Sequence, residues 1–193
     1  MARPKRNETA LSAIEKIENA YWEMLYEGDY AHITIRSLAK NADINHNMIY
    51  YYYDNIDDLA MKAFENVLSE ESFAKVLSMF ASHTSPLLVI TEDSSLIEKF
   101  FKVKLYIRGD SAFLTSIFRS AIKSAWLKQL CLTDCELDSS DKTDLDFIIA
   151  GLISVMSNIS TPSEISTAAT ILNRDIGKAI LSTLHGLQLK YKS

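Results

Sequence analysis

Residues that interrupt regular secondary structure are scarce in this chain, which has only 5 glycines and 3 prolines among 193 residues. A strand-rich chain needs many tight turns, and tight turns are built largely from glycine and proline. The scarcity therefore favours long helices. Over residues 8–26 the apolar side chains also recur every three or four positions, which is the repeat of one helix face. We expect an all-α protein.

The composition is that of an ordinary folded chain, with 48% hydrophobic and 23% charged residues. The net charge of −5 excludes a surface that is strongly basic all round, but it allows a small local surface that reads DNA. The polar N-terminus predicts no secretory segment, and the longest apolar run, residues 147–156, is about half a membrane span. We expect a soluble, cytoplasmic protein with no membrane partner.

Two cysteines, Cys131 and Cys135, are too few for a disulfide scaffold, and no histidine or second cysteine pair lies near them to complete a zinc site. We expect free thiols in a reducing compartment, no metal and no cofactor. The 4 histidines are scattered, and neither a Glu-x-x-His pair nor a nucleophile–base pair is evident. An all-α enzyme is therefore the least favoured class, and we expect no catalytic residue.

Residues 33–59 carry the most informative pattern. Thr34 is a good helix N-cap, and Ile33 and Leu38 have the spacing of a hydrophobic staple around it, which predicts a helix over residues 35–42. Residues 43–45 form a tight turn, where aspartate tolerates the left-handed backbone conformation. Asn45 then caps a helix over residues 46–53, and Asn55 caps a fourth. Two short capped helices joined by a three-residue turn make a helix-turn-helix.

The second of these helices carries side chains suited to DNA. Asn47 offers a donor and an acceptor to an adenine edge, His46 can donate to a purine N7 or a phosphate, and Met48 can contact a thymine methyl group. On the preceding helix, Arg36 can reach a guanine edge or a phosphate, and Thr34 and Lys40 can reach the DNA backbone.

Four consecutive tyrosines, at positions 50–53, follow these polar residues. The hydroxyls of Tyr50, Tyr51 and Tyr52 can reach phosphate oxygens. The alternative is that the tyrosines pack a helical core or an interface. Four successive helix positions point in four directions, however, so one or two must be exposed. Spacing alone leaves DNA reading and a structural helical hairpin equally open.

Three segments together resemble the DNA-binding domain of the TetR family of bacterial transcriptional regulators. They are T-I-R-S-L-A at 34–39, A-D-I-N at 42–45, and I-Y-Y-Y-Y-D-N at 49–55, followed by Leu59. The family pattern runs loosely T-x-x-x-I-A-x-x-A-G-V-S-x-x-x-[LI]-Y-x-[HY]-F-x-[NS]-K-x-x-L. The matched region spans residues 11–64, and the length and helical character of the chain agree with it.

The resemblance implies an N-terminal arm and three-helix DNA-binding domain over residues 1–55. A larger helical effector-binding and dimerisation domain follows over residues 56–193. It also implies a dimeric repressor that binds a near-palindromic double-stranded operator and is released by a small-molecule effector of unknown identity. The residues that match the family's DNA-contact positions are Thr34, Arg36, His46, Asn47, Met48, Tyr50 and Tyr52. Among them, Tyr50 matches the family's most consistent phosphate contact.

Three positions depart from the family pattern. Asp43 replaces the turn glycine, Tyr53 replaces a phenylalanine, and Ile56 replaces a lysine that contacts phosphate in the family. Residues 1–62 carry seven basic and ten acidic side chains, a net charge of −3. Nonspecific DNA affinity should therefore be weak and salt-sensitive. These departures keep open an adaptor that has lost DNA binding and acts through a protein partner.

Two long apolar helices are expected near the C-terminus, over residues 141–157 and 162–186, with residues 133–141 as a loop before them. Each carries an apolar stripe, and Gly151 permits close helix approach. We expect them to form a homodimer interface, the alternative being that both stripes serve only the monomer's core. Asp110 is expected to cap a helix that runs toward residue 130. The aromatic residues of 100–126 suggest a ligand pocket but fit a plain core as well, so no ligand contact is predicted.

Overall fold

The structure, a computed structural model, describes residues 12–68, 94–130, 132–133 and 136–192. Within these ranges it is helical and contains no strand. The helices are α1 (Ala13–Glu27), α2 (Ile35–Asn41), α3 (His46–Tyr52), α4 (Ile56–Leu68), α5 (Ser94–Leu105), α6 (Ala112–Leu130), α7 (Ser139–Ser157), α8 (Pro162–Ala169) and α9 (Asp175–Lys192), with single 3-10 turns at Tyr30–His32 and Thr170–Asn173. The expected N-terminal arm and both cysteines lie outside the described residues.

The chain forms two compact units that meet between Ala63 and Phe64, inside α4. The boundary expected from the sequence, after residue 55, falls at the start of that helix. The separate roles assigned to residues 1–55 and 56–193 stay predictions.

The first unit is a three-helix core with a defined start. Ser12 caps α1 through a capping box with Glu15: each backbone N–H donates to the other residue's side chain, at 2.7 and 3.2 Å. The apolar face of α1 is buried, with Ile17, Tyr21 and Leu25 at 0% exposure. α1 ends at Glu27, with Gly28 as its C-cap. This face packs against α2 and α3.

The second unit is built on the aromatic residues of α5 and α6. Tyr106 and Phe118 are buried, and their ring centroids lie 4.5 and 6.0 Å from that of Phe64. Phe100 belongs to a second buried cluster with Leu96 and two isoleucines from the α7–α8 region. The buried aromatic side chains of this region thus pack in the core of the second unit.

One helix cap and one loop predicted from the sequence need correction. The helix α6 is capped by Ser111, whose Oγ accepts from the Leu114 N–H at 3.2 Å. Asp110 does not cap it, because its carboxylate is paired with Arg108, with Nη2 and Oδ2 at 2.5 Å. The expected loop over 133–141 is also too long. Asp138 is already the N-cap of α7, and its Oδ1 accepts from the Asp141 N–H at 2.9 Å.

The predicted single helix over residues 162–186 is wrong at both its middle and its end. It is interrupted by the 3-10 turn Thr170–Asn173, after which the Arg174 N–H donates to the Ile171 carbonyl, three residues back. The new helix, α9, starts at Asp175 and continues past Gly186 to Lys192. A glycine inside a helix costs about 1 kcal/mol. Tertiary contacts beyond it offset that cost, since Leu187 is buried and the Tyr191 hydroxyl donates to Asp141 at 2.5 Å.

Candidate DNA-binding surface

The entry into α2 follows from the sequence around Thr34. The Ser37 N–H donates to Thr34 Oγ1 at 3.1 Å, and the Thr34 N–H donates to Ser37 Oγ at 2.9 Å, which completes a capping box. Ile33 and Leu38 are buried on either side of the cap, in accord with the predicted hydrophobic staple. The cap and the staple fix where α2 begins and how it enters the core.

The turn that joins α2 to α3 depends on Asp43. Its backbone has φ of 51°, in the left-handed region that glycine favours, so the predicted conformation at this position is confirmed. The Ile44 N–H then returns to the Ala39 carbonyl at 3.1 Å. Asn45 caps α3, with its Oδ1 accepting from the Asn47 N–H at 2.9 Å. α2 and α3 pack on each other as a helix-turn-helix.

The helix α3 has one buried face and one exposed face. Ile49 and, just after the helix, Tyr53 are buried at 0% and 4% exposure. In contrast, Tyr50 and Tyr51 are 56% and 79% exposed, and Met48 is 42% exposed. His46 and Asn47 are also exposed, whereas Tyr52 is half-buried. The consecutive tyrosines thus do not all serve the core, as helix geometry requires.

The remaining sequence-predicted residues lie on or beside α2. Arg36 and Lys40 are exposed. Thr34 is exposed as well, but its hydroxyl is already engaged in the cap of α2. The structure therefore places every predicted contact residue on the helix-turn-helix, and contact with DNA stays a prediction.

The C-terminal end of α3 holds interactions that sequence reasoning missed. The hydroxyl of Tyr53 donates to Glu18 Oε1 on α1 at 3.0 Å. Burial, together with the negative charge of Glu18, raises the pKa of Tyr53, so that its hydroxyl stays protonated and can donate. A phenylalanine at this position could not make this bond. On the other side, the Lys62 ammonium on α4 donates to the Tyr52 carbonyl at 3.2 Å.

Several acids of the first unit are engaged within it. Asp57 accepts from the Tyr30 hydroxyl at 2.5 Å, and Asp58 pairs with Lys62 at 2.8 Å. Burial and the hydrogen bond to Asp57 raise the pKa of Tyr30, which keeps that hydroxyl a donor. Asp43, by contrast, is an exposed acid in the turn that leads into α3. Its charge therefore lies beside the candidate surface.

A second candidate surface lies in the other unit, between α7 and α9. It is an open apolar groove of about 340 Å³. Phe147 and Ile176 border it and are 78% and 58% exposed. The other lining residues are Asp144, Ile148, Gly151, Leu152, Val155, Ile171, Ala179, Ile180 and Thr183.

Among the described residues, no helix combines the length and apolarity needed to cross a bilayer.

Comparison with known proteins supports the fold. No family model and no curated protein matches this sequence. The fatty acid degradation regulator FadR from Bacillus halodurans is similar in structure, with a TM-score of 0.53 and 15% identity over 86% of this chain and 96% of that chain. The TetR family repressor AlkX from Dietzia sp. strain DQ12-45-1b, implicated in biodegradation of n-alkanes, gives a TM-score of 0.40 and 16% identity over 87% and 97%. At 15% identity the likeness to the Bacillus halodurans regulator concerns the fold alone, and it agrees with the expected all-α fold.

Proposed function

We propose that this chain is a TetR-like transcriptional regulator that reads double-stranded DNA with α3. The observation that carries the proposal is the exposed face of α3, on a helix held at its start by the turn at Asp43 and the cap at Asn45. Large apolar and aromatic side chains are seldom left exposed together without a partner. Tyr50, Tyr51 and Met48 are exposed together on one α-helix, and the major groove is wide enough to admit an α-helix.

The chemistry of this face divides into base reading and backbone contact. Asn47 and His46, at the start of α3, supply the hydrogen bonds that distinguish base edges, and Met48 supplies apolar contact to a thymine methyl group. Tyr50 and Tyr51 supply hydroxyls to phosphates, while Tyr52 is half-buried and contributes less. Arg36 and Lys40 on α2, with Thr34 at its N-cap, complete the proposed backbone contacts.

The proposed regulator is a homodimer that uses the groove between α7 and α9. Its border residues Phe147 and Ile176 are the exposed apolar side chains that a second copy would cover. A two-fold dimer buries the same patch on both partners and supplies two copies of α3. The two α3 helices would then read half-sites about 34–36 Å apart in successive major grooves.

Repression and release by an effector complete the proposal. In this scheme the dimer has two arrangements, and only one of them fits the operator. A small molecule binds the other arrangement more tightly and so releases the dimer from DNA. An effector whose affinity is the same for free and for operator-bound protein would contradict the scheme.

Paired substitutions on α3 test the DNA interface. The probe is the duplex that the wild-type protein enriches most strongly from a random DNA pool. We expect Tyr50→Ala to weaken binding to every duplex, and Asn47→Ala to relax preference at one base pair by about 1–3 kcal/mol. Tyr26→Ala is the matched control, because Tyr26 is 77% exposed but lies on α1. If both α3 variants bind like the control, α3 is not the reading helix.

An adaptor without DNA binding is the second candidate. The net charge of −3 over residues 1–62 and the apolar Ile56 at the start of α4 favour it. It predicts that the wild-type protein enriches no duplex from the pool. In that case Tyr50 and Tyr51 would belong to a surface for a protein partner.

A further inference from the structure

The helix α3 depends on its neighbours for a defined end. It has only 7 residues, and its last turn contains no basic side chain. Helices this short are not stable by themselves in water. The last carbonyl groups of a helix also need donors and favour a positive charge. The order of α3 therefore depends on what binds its C-terminal end.

Lys62 supplies both a donor and a charge from a different helix. Its Nζ lies on α4 and donates to the carbonyl oxygen of Tyr52, the last residue of α3, at 3.2 Å. The same Nζ lies 5.4 Å from the ring centroid of Tyr53, the residue that caps α3. One ammonium group thus binds the terminal carbonyl and covers the aromatic ring that follows it.

The ammonium group is itself held in place. Asp58, one turn earlier on α4, pairs with it at 2.8 Å. The other bond to Asp58 Oδ2 comes from the Asp54 N–H, in the link between α3 and α4, at 3.0 Å. The hydrogen bond from Lys62 lowers the pKa of Asp58, so the carboxylate is charged at neutral pH. Lys62, Asp58 and the end of α3 form one connected network.

We propose that Lys62 is a positioning residue for DNA reading, which fixes the C-terminal end of α3 in the orientation that its exposed side chains require. The inference rests on the proposed function, because it assigns Lys62 a role in the same site. It differs from a phosphate contact, the usual role of a lysine near DNA. The bonds of Nζ are directed at Asp58 and Tyr52, within the protein.

Full-length variants separate the two roles. Lys62→Met removes the charge and the donor but keeps an unbranched side chain, and Lys62→Arg restores both. Lys40→Met is the matched control, since Lys40 is an exposed base in the last turn of α2. Three quantities are measured for each: the preference for the pool-selected duplex over a scrambled duplex, the salt dependence of binding, and hydrogen exchange of the amides in residues 49–53 without DNA.

For Lys62→Met we expect the preference for the selected duplex to fall about tenfold, in line with loss of one charge-assisted hydrogen bond. The salt slope should stay unchanged, amides 49–53 should exchange faster than in wild type, and α1 should exchange as before. Lys62→Arg should restore the preference and the slow exchange. Lys40→Met should instead lower the salt slope by about one and leave the preference intact.

Two results would overturn the inference. One is a lower salt slope for Lys62→Met with unchanged preference and unchanged exchange, which would make Lys62 a phosphate contact. The other is no change in any of the three quantities. If the wild-type protein selects no duplex at all, the proposed function fails instead, and the exchange of amides 49–53 alone decides whether Lys62 holds α3.

Discussion

Phe147 offers the sharpest test of the proposed dimer. It borders the groove between α7 and α9, and 78% of it is exposed in the single chain. Full burial of a phenylalanine side chain stabilises an assembly by roughly 1.5–3 kcal/mol. A two-fold dimer buries Phe147 twice, and about three quarters of each side chain is newly covered, so Phe147→Ala should weaken the dimer by about 2–5 kcal/mol. That loss raises the dimer Kd by roughly two to three powers of ten.

Sedimentation equilibrium over a range of protein concentrations measures this Kd. The matched control is Tyr26→Ala, which removes an aromatic side chain of 77% exposure from the first unit and should leave the Kd unchanged. The monomer should keep its fold in both variants, because substitutions at exposed positions usually change stability by less than about 0.5 kcal/mol. Thermal melts followed by circular dichroism check this.

A specific result would refute the reasoning. If Phe147→Ala shifts the Kd no more than Tyr26→Ala does, the α7–α9 groove is not the dimer interface. A wild-type protein that stays monomeric at all concentrations would refute the dimer itself.

Three further predictions concern charge and packing. Asp43→Asn removes an exposed acid beside α3 while keeping a side chain that tolerates the left-handed backbone, so affinity for random DNA, measured by fluorescence anisotropy, should rise. Leu38→Ala, at a fully buried position, should lower the free energy of unfolding by about 2–5 kcal/mol in denaturant titration. The hydrogen bond from Lys190 holds the pKa of Asp138 below its ordinary 3.8, so its stabilisation is present above about pH 4 and is lost as the pH falls through the depressed pKa. Lys190→Met should therefore have a lower Tm than the wild-type protein at pH 7. In acid, below the depressed pKa of Asp138, the two proteins should melt at the same temperature.

The helix-turn-helix could be predicted from the sequence because its determinants are local. The capping box at Thr34, the left-handed Asp43 and the cap at Asn45 each join residues only two or three positions apart, or act on a single backbone unit. Side-chain type and spacing suffice to recognise such features. The exposed face of α3 follows in turn from helical periodicity.

The features that the sequence did not predict depend on contacts between distant residues. α9 continues past Gly186 because Tyr191 and Lys190 bond to acids about fifty positions earlier, at the start of α7. Asp110 was a plausible cap by residue type, but Arg108 engages its carboxylate. The bond from Lys62 to the end of α3 spans 10 positions and has no periodic signature. Only the packed structure brings such pairs together.

Binding of the purified protein to the DNA upstream of its own coding sequence tests the central claim most directly. The titration is made at several salt concentrations, with random DNA as competitor. The account predicts specific binding that survives the competitor. The binding should weaken with salt, so that log Kd rises linearly with the logarithm of the salt concentration. Absence of preference over random DNA, even at low salt, would contradict the claim and leave the exposed face of α3 to a protein partner.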